Sequence, residues 1–164
     1  MQPMQPRITS PAMSVPGALD ALLALSNAAN DATRQAGVPQ TTIELVQHRA
    51  SQINHCAVCL DLACRSARKH GEQLDDRLLM LAAWRETAYF DDAERAALAL
   101  TEAATRLGDR ENAVPDEIWN EAAKHYGEPA LAVLVLHIAL INTWNRLNVT
   151  TGQVAGEWLD QWVP

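Results

Sequence analysis

The sequence is poor in the residues that favour β-strands. It contains one Phe and two Tyr among 164 residues, and aromatic residues make up only 5% of the chain. Aromatic and β-branched side chains are enriched in strands, whereas Ala and Leu, which recur throughout this chain, favour helices. We therefore predict an all-α protein. A chain of this length with 48% hydrophobic residues can form a hydrophobic core without a metal or disulfide staple.

The sequence also contains few positively charged residues. The 13 Lys and Arg residues are outnumbered by 20 Asp and Glu residues, which gives a formal net charge of −7. Nucleic acids and anionic membrane surfaces bind proteins largely through Lys and Arg, so an acidic surface tends to repel both. The charge balance predicts a protein with no nucleic-acid partner and no membrane partner.

Long apolar runs are missing as well. The longest, residues 130–141, is interrupted by His137 and is too short to span a bilayer. The stretch before Gly17 holds one Arg and four Pro and has no apolar h-region. Three cysteines do not make the even-numbered disulfide framework of a small secreted protein. We therefore expect a cytoplasmic protein in which a close cysteine pair is catalytic, redox-sensing or metal-binding.

The periodic part of the chain begins at Pro16. Residues 1–15 are rich in Pro, Met, Gln and Ser and lack periodicity, so we interpret them as a flexible N-terminal tail and residues 16–164 as one domain. Apolar spacing and capping residues predict a single-domain bundle of about seven or eight helices. The expected spans are 16–35, 41–53, 56–71, 75–84, 91–107, 115–127 and 129–145, followed by an amphipathic segment with Trp158 and Trp162.

The sharpest chemical feature is the Cys-x-x-Cys pair, Cys56 and Cys59. If the pair lies in a helix, the i, i+3 spacing puts both sulfurs on one face, close enough to form a disulfide. The positive end of the helix dipole stabilises a thiolate, which attacks a peroxide or a disulfide, and the second thiol then resolves the product. Two alternatives stay open on spacing alone. The cysteines are two buried structural thiols, or they belong to a zinc site that needs further ligands such as Cys64.

The pair lies within a longer pattern, Arg49-x-Ser51-Gln-Ile-Asn-x-Cys56-x-x-Cys59-x-Asp61. This pattern resembles the core of the AhpD-like alkylhydroperoxidase family, which belongs to the carboxymuconolactone decarboxylase superfamily. Two further stretches resemble the same family, Trp-Arg-Glu-Thr at 84–87 with the acidic and Ala-rich stretch 92–99, and Ile-Asn-Thr-Trp-Asn-Arg-Leu at 141–147. The resemblance covers roughly residues 17–150.

This resemblance implies an AhpD-like helical bundle that assembles as a homo-oligomer, often a trimer or hexamer. It implies thiol-dependent reduction of a hydroperoxide substrate, with an external thiol or dithiol reductant and no bound metal or organic cofactor. In the family's peroxidases a Glu twelve residues before the first Cys starts a proton relay, and Glu44 holds that position. The second cysteine, Cys59, attacks the peroxide and the first, Cys56, resolves it. The helix dipole alone would favour Cys56 as the attacking thiol.

The chain departs from the family at one relay position. The family's peroxidases usually carry a His four residues after the second Cys, where this chain has Ala63. Ala63 cannot shuttle a proton, so we expect weak peroxidase activity. His48 is a candidate substitute, because its i, i+4 spacing from Glu44 allows the carboxylate to orient the imidazole. His55, which directly precedes Cys56, is a second candidate.

Other polar residues have structural interpretations. We expect Arg49 to form an ion pair, Ser51 to form a hydroxyl hydrogen bond near the break between two helices, and His137 to be a hydrogen-bonded core histidine. Cys64 is interpreted as a core thiol that points away from the pair. Residues 144–146 are interpreted as packing and interface residues.

Three functional hypotheses follow. The first is a thiol-dependent peroxidase or dithiol oxidoreductase that acts through Cys59, Cys56, Glu44 and His48. The second is a redox-sensing or binding protein of the same fold whose relay has decayed at Ala63. The third is a non-redox enzyme like the lactone decarboxylases of the superfamily, which do not need the cysteine pair.

Overall fold

The computed structural model describes residues 4–69, 76–108 and 111–162. These ranges are largely helical and contain no strand, which confirms the predicted all-α class. The α-helices are α1 (Pro11–Ser14), α2 (Ala18–Ala36), α3 (Gln40–Ile53), α4 (Ala57–Lys69), α5 (Asp76–Met80), α6 (Asp92–Thr105), α7 (Asp116–His125) and α8 (Glu128–Thr151). Two 3₁₀ helices span Leu81–Glu86 and Glu157–Trp162.

Several helix ends follow the capping chemistry of adjacent residues. The Asp91 carboxylate accepts a hydrogen bond from the Glu94 amide at 2.8 Å, and the Glu94 carboxylate accepts one from the Asp91 amide at 3.1 Å. This capping box starts α6, as predicted. Gly37 adopts the left-handed conformation, with φ 68°, and ends α2.

Two predicted spans are wrong. The apolar helix predicted to end at Asn145 continues as α8 to Thr151, and it ends where Gly152 takes a left-handed backbone with φ 64°. The helix predicted over 75–84 is divided into α5 and the first 3₁₀ helix, with a non-helical residue at Ala83. The predicted end of α4 at Gly71 lies outside the described residues.

The described part of the predicted tail contacts the end of α8. The Arg7 backbone amide donates to the Thr151 carbonyl at 2.8 Å, and the Arg7 side chain donates to the Thr150 carbonyl at 3.0 Å. Gln153 donates to the Ile8 carbonyl at 2.9 Å. In the region predicted to be a flexible tail, the structure therefore has a segment that is hydrogen-bonded to the end of α8 and to Gln153, followed by the one-turn helix α1. The domain boundary at residue 16 stays a prediction.

The central helix is α8, which packs against α2, α3 and α6, with smaller contacts to α4 and α7. Its inward side chains Leu134 and Ile138 join the main core with Ile43 and Val46 of α3. Burying each such side chain contributes roughly 1.5–3 kcal/mol. By length and hydropathy alone α8 also passes the test for a membrane-crossing helix, a test that core helices often pass. Half of its most apolar window is buried inside this fold.

A buried carboxylate joins α3 and α6 to the first 3₁₀ helix. Glu102 on α6 accepts hydrogen bonds from Arg49 at 2.7 Å, Arg85 at 2.7 Å and the Trp84 indole at 3.0 Å, and Arg106 lies 3.1 Å away. Burial alone would raise the pKa of Glu102, but the hydrogen bonds from Trp84, Arg85 and Arg49 lower it to about 2. The expected ion pair of Arg49 is confirmed.

We predict that Glu102→Gln lowers the free energy of unfolding by roughly 3–5 kcal/mol at neutral pH, because the arginines around this buried position lose their carboxylate. Thermal unfolding followed by circular dichroism measures the change. Glu121→Gln is the matched control, since Glu121 is an exposed partner of Lys124 and exposed pairs contribute little.

The same carboxylate makes the stability depend on pH. The folded pKa of about 2 lies below the ordinary value of 4.5, so the contribution of Glu102 is complete above about pH 4.5 and is lost as the pH falls towards 2. Wild-type protein should lose more stability across this range than Glu102→Gln. Equal losses in the two proteins would contradict the assigned role.

Candidate active site

The two cysteines follow a sharp corner between α3 and α4. Asn54 closes α3, and His55 then takes a left-handed backbone with φ 55°, which is uncommon for a residue other than glycine. Since α4 begins at Ala57, Cys56 holds the N-cap position, and its carbonyl accepts the first helical hydrogen bond, from Leu60 at 3.0 Å. The corner therefore sets Cys56 at the positive end of α4.

Cys56 and Cys59 form a disulfide with their Cα atoms 5.4 Å apart, a separation that a disulfide readily spans. The backbone amide of Cys59 also lies 3.3 Å from Cys56 Sγ. Cys56 is 1% exposed, whereas Cys59 is half-buried. The predicted pairing of the two sulfurs on one face is confirmed. The alternative of a close pair of structural cysteines stays open.

Two asparagines of α8 face the sulfur atoms. Asn145 Nδ2 lies 3.1 Å from Cys59 Sγ, and Asn148 Nδ2 lies 3.5 Å from Cys59 Sγ and 3.8 Å from Cys56 Sγ. Asn145 is fully buried, which agrees with the expected packing role of residues 144–146, and its amide also contacts the sulfur of Cys59. The available signal was the spacing of Asn142, Asn145 and Asn148, which repeats an amide every three residues along an apolar helix.

A buried amide network connects these asparagines to the corner. Asn54 Nδ2 donates to Asn142 Oδ1 and to Asn145 Oδ1, both at 2.9 Å. Asn145 Nδ2 also donates to the Ser51 hydroxyl at 3.1 Å, and Asn142 Nδ2 donates to Thr105 Oγ1 at 3.1 Å. Buried polar groups are costly without partners, so these bonds hold the end of α3 against α8.

Glu44 and His48 lie one turn apart on α3, as their spacing predicts. Glu44 is exposed and His48 is half-buried. At a rise of about 1.5 Å per residue, Glu44 lies about 13 Å along the helix axis from Ile53, and His48 lies one turn nearer to the corner. Burial lowers the pKa of His48, so its imidazole is neutral at pH 7 and can accept a proton. Their part in a proton relay to Cys59 stays a prediction.

Three other residues singled out in the sequence have simpler environments. His137 is buried between Thr33 Oγ1, at 2.9 Å, and Gln47 Nε2, at 3.1 Å, which confirms a hydrogen-bonded core histidine. Burial lowers the pKa of His137. Cys64 is a half-buried free thiol, so the prediction of a core position is wrong. Ala63 is exposed on α4.

A cavity of about 420 Å³ borders the disulfide. Its walls come from the corner, the end of α8 and the N-terminal segment. Among the described residues Cys56, rather than Cys59, reaches the lining, together with His55, Val58, Asn148, Val149 and Met4. The volume is in the range of small-ligand sites, and the mixture of apolar side chains with the imidazole of His55 and three side-chain amides, those of Gln5, Asn148 and Gln153, suits a small molecule with both apolar and polar groups.

Within the described ranges, no group of three or more His, Cys, Asp or Glu side chains is arranged to hold a metal ion. The zinc alternative therefore lacks a ligand set in that part of the chain. The arrangement that the structure does contain is a dithiol–disulfide pair beside neutral amide donors. Such a pair transfers two electrons by thiol–disulfide exchange.

The sequence profile of the carboxymuconolactone decarboxylase family matches residues 16–103, more than half of the chain and including both cysteines. The chain belongs to the carboxymuconolactone decarboxylase family. The uncharacterized protein YdfG of Bacillus subtilis is 40% identical to this family member over 123 residues, which cover 75% of the chain and 82% of YdfG. The uncharacterized protein YnjA of Escherichia coli is 34% identical over 105 residues, which cover 63% of the chain and about half, 55%, of YnjA.

Solved structures share the fold of this family member. A crystal structure from Agrobacterium tumefaciens, of a protein of unknown function and candidate antioxidant defence protein AhpD, matches with a TM-score of 0.80 and 29% identity, covering 93% of this chain and 99% of that one. The debrominase Bmp8 matches with a TM-score of 0.72 and 18% identity, covering 90% and 76%. A Bmp8 variant in complex with 2,3,4-tribromopyrrole matches with the same TM-score at 17% identity. At such identities Bmp8 shows the fold alone.

We predict that mild hydroperoxide oxidises Cys56 and Cys59 to a disulfide and leaves Cys64 reduced, because only the first two are placed to bond. Iodoacetamide labelling followed by mass spectrometry should find three labelled cysteines in the reduced protein and one, Cys64, after treatment. The Cys59→Ser protein is the control, in which this intramolecular bond cannot form. Full labelling of all three cysteines after treatment would contradict the prediction.

Proposed function

We propose that this protein is a thiol-dependent hydroperoxide reductase, and more broadly a dithiol oxidoreductase, that cycles Cys56 and Cys59 between dithiol and disulfide. The observation that carries the proposal is their disulfide at the start of α4, with amide donors of α8 directed at the sulfurs. The AhpD-like fold supports it, since the family includes enzymes. The dithiol itself supplies the two electrons, so the cycle needs no resident cofactor.

Cys59 attacks the peroxide in this proposal, because it is the more exposed sulfur and the one nearer to both asparagine amides. The Cys59 thiolate attacks the terminal oxygen of the hydroperoxide and the O–O bond breaks. The alkoxide leaves and takes up a proton to become an alcohol. The oxidised sulfur carries the hydroxyl group as a sulfenic acid.

Cys56 then resolves the sulfenic acid. Its thiolate attacks the Cys59 sulfur, the S–S bond forms, and hydroxide leaves and takes up a proton to become water. The N-cap position of Cys56 favours this thiolate, because the Cys59 backbone amide and the helix dipole both point at it. In this cycle the family resemblance assigns the attack on the peroxide to Cys59, and the helix dipole favours Cys56 as the thiolate of the next step.

An external thiol or dithiol returns the site to its reduced form. The cavity reaches Cys56, so we propose that the reductant thiolate attacks Cys56 Sγ and that Cys59 leaves as a thiolate towards Asn145 and Asn148. A second reductant thiolate then attacks the reductant's own sulfur in this mixed disulfide and releases the Cys56 thiolate, which takes up a proton. The Cys59 thiolate takes up the second proton, so two reductant thiols become one disulfide and the protein regains its dithiol.

The proton of Cys59 is assigned to His48, acting directly or through water, with Glu44 orienting the imidazole. The neutral state of His48 supports this assignment. Ala63 supplies no imidazole at the position where related peroxidases have one, so turnover should be slow. A redox sensor of the same fold would form the same disulfide but react once per protein molecule.

The assembly is also a proposal. We propose a homo-oligomer, a trimer or hexamer, because large apolar side chains are exposed on two packed helices, Leu23 and Leu25 on α2 and Val135 on α8. Apolar surface of this kind commonly lies at an interface. A cytoplasmic location, and the lack of a nucleic-acid or membrane partner, stay predictions from composition.

The proposed function is tested by hydroperoxide consumption with a dithiol reductant in excess. We predict slow turnover by the wild type, loss of turnover in Cys59→Ser, and unchanged turnover in Cys64→Ser, which removes a thiol outside the pair. Full activity in Cys59→Ser would refute the proposal. A single stoichiometric oxidation without turnover would favour the redox-sensor hypothesis.

The same assay tests the relay. Ala63→His should raise the rate, because a positioned proton-transfer group contributes ~100-fold or more when well placed. Adding Glu44→Gln to this variant should cancel the gain if the carboxylate orients the new imidazole. If Ala63→His has no effect and His48→Ala removes the existing activity, the relay runs through His48 alone.

A further inference from the structure

We infer that Asn145 is a catalytic residue whose side-chain N–H binds the Cys59 thiolate, and that Arg146, Asn142 and Asn54 are positioning residues that force this N–H towards the sulfur. The inference deepens the proposed function, since it rests on Cys59 being the sulfur that carries negative charge during the cycle. It starts from the 3.1 Å contact between Asn145 Nδ2 and Cys59 Sγ.

The direction of an asparagine amide is set by its partners, because the oxygen and nitrogen ends have nearly the same shape. Asn142 is the fixed point of the network. Its Oδ1 receives a guanidinium N–H from Arg146 at 3.1 Å, and arginine only donates. Its Nδ2 lies 2.8 Å from the Ile138 carbonyl, which only accepts. Both ends of the Asn142 amide are therefore determined.

The orientation of the Asn142 amide determines that of Asn54, which in turn determines that of Asn145. Because Oδ1 of Asn142 is an acceptor, the Asn54 atom 2.9 Å from it must be the donor Nδ2. The same nitrogen has a second N–H, which is directed at Asn145 Oδ1 at 2.9 Å. The opposite end of the Asn145 amide, Nδ2, then has to face Cys59 Sγ and Ser51 Oγ.

Ser51 completes the assignment. Its hydroxyl hydrogen is directed at the Gln47 carbonyl at 2.8 Å, so the Ser51 oxygen is free to accept from Asn145 Nδ2 at 3.1 Å. Both hydrogens of this nitrogen thus have targets, one on Ser51 and one on Cys59. If the Asn145 amide were flipped, its oxygen would face the Cys59 sulfur and its nitrogen would face the Asn54 donor. Both hydrogen bonds would then be lost.

The sulfur of a disulfide is neutral and accepts hydrogen bonds weakly, whereas a thiolate carries a full negative charge. A donor held in place is therefore worth more once Cys59 becomes a thiolate, and the protein need not reorganise to provide it. Asn145 is fully buried, and a buried N–H interacts with charge more strongly than a solvated one. Asn148, half-buried and 3.5 Å away, adds a second, weaker donor.

The test measures the thiol pKa of Cys59 directly. In a Cys56→Ser, Cys64→Ser background Cys59 is the sole cysteine, and its rate of alkylation by iodoacetamide against pH gives the pKa. Asn145→Asp keeps the shape of the side chain but replaces the N–H donor with an acceptor. We expect the Cys59 pKa to rise by at least one unit, and alkylation at a pH below both values to slow by roughly tenfold or more.

Asn120→Asp is the matched control, because it makes the same change of group and charge on the exposed surface of α7. It should leave the alkylation profile unchanged. Circular dichroism and thermal melts establish that each variant is folded. The ionisable side chains on the elements around the corner, which include Arg49 on α3, His55, Asp61 and Arg65 on α4, and Arg146 on α8, are the same in every variant.

Asn54→Asp tests the positioning role without touching the sulfur. The new carboxylate accepts rather than donates, so it should draw the Asn145 N–H away from Cys59 and raise the Cys59 pKa in the same direction. This variant also keeps the inference testable if Asn145→Asp fails to fold. An unchanged Cys59 pKa in a folded Asn145→Asp or Asn54→Asp protein would overturn the inference. Alkylation requires no peroxide turnover, so a failed peroxidase assay is a separate result.

Discussion

At the corner between α3 and α4, two hydrogen bonds from the Asn54 amide to α8 hold the end of one helix against the middle of another. The backbone turns at once through the left-handed His55, and α4 starts two residues later. This constraint puts Cys56 at a helix N-terminus and brings Cys59 within 3.1 Å of the Asn145 amide. Without it, the Cys-x-x-Cys spacing would still allow a disulfide, but the sulfurs would have no defined surroundings.

The two sulfurs have different surroundings, which suit them to different steps of the proposed cycle. Cys56 is buried, borders the cavity and faces the backbone amide of Cys59. Cys59 is more open to solvent and faces two asparagine side chains of α8. The ion cluster around Glu102 supports this arrangement from behind, because Arg49 links α3 to α6 one turn before the corner. The helix α3 therefore contributes both to the stability of the fold and to the geometry of the site.

Features with a local cause were predictable from the sequence. The capping box of Asp91 and Glu94, the end of α2 at Gly37 and the disulfide spacing all depend on neighbouring residues. The contacts of Asn145 could not be predicted, because its partners, Ser51 and Cys59, lie 94 and 86 residues away in the chain. The break at Ala83 was missed for a similar reason, since the residues after it turn towards Glu102 on another helix. The three-residue spacing of Asn142, Asn145 and Asn148 indicates a polar face on α8, but no local pattern identifies the long-range partners of that face.

In the proposed cycle, Cys59 is the sulfur that reacts with the peroxide. The most direct measurement is the trapping of its sulfenic acid in Cys56→Ser, where the resolving thiol is absent. The protein is treated with a hydroperoxide in the presence of dimedone, and the adduct is located by mass spectrometry. We expect an adduct on Cys59 that forms faster than any adduct on Cys64. No adduct on Cys59, or faster labelling of Cys64, would contradict it.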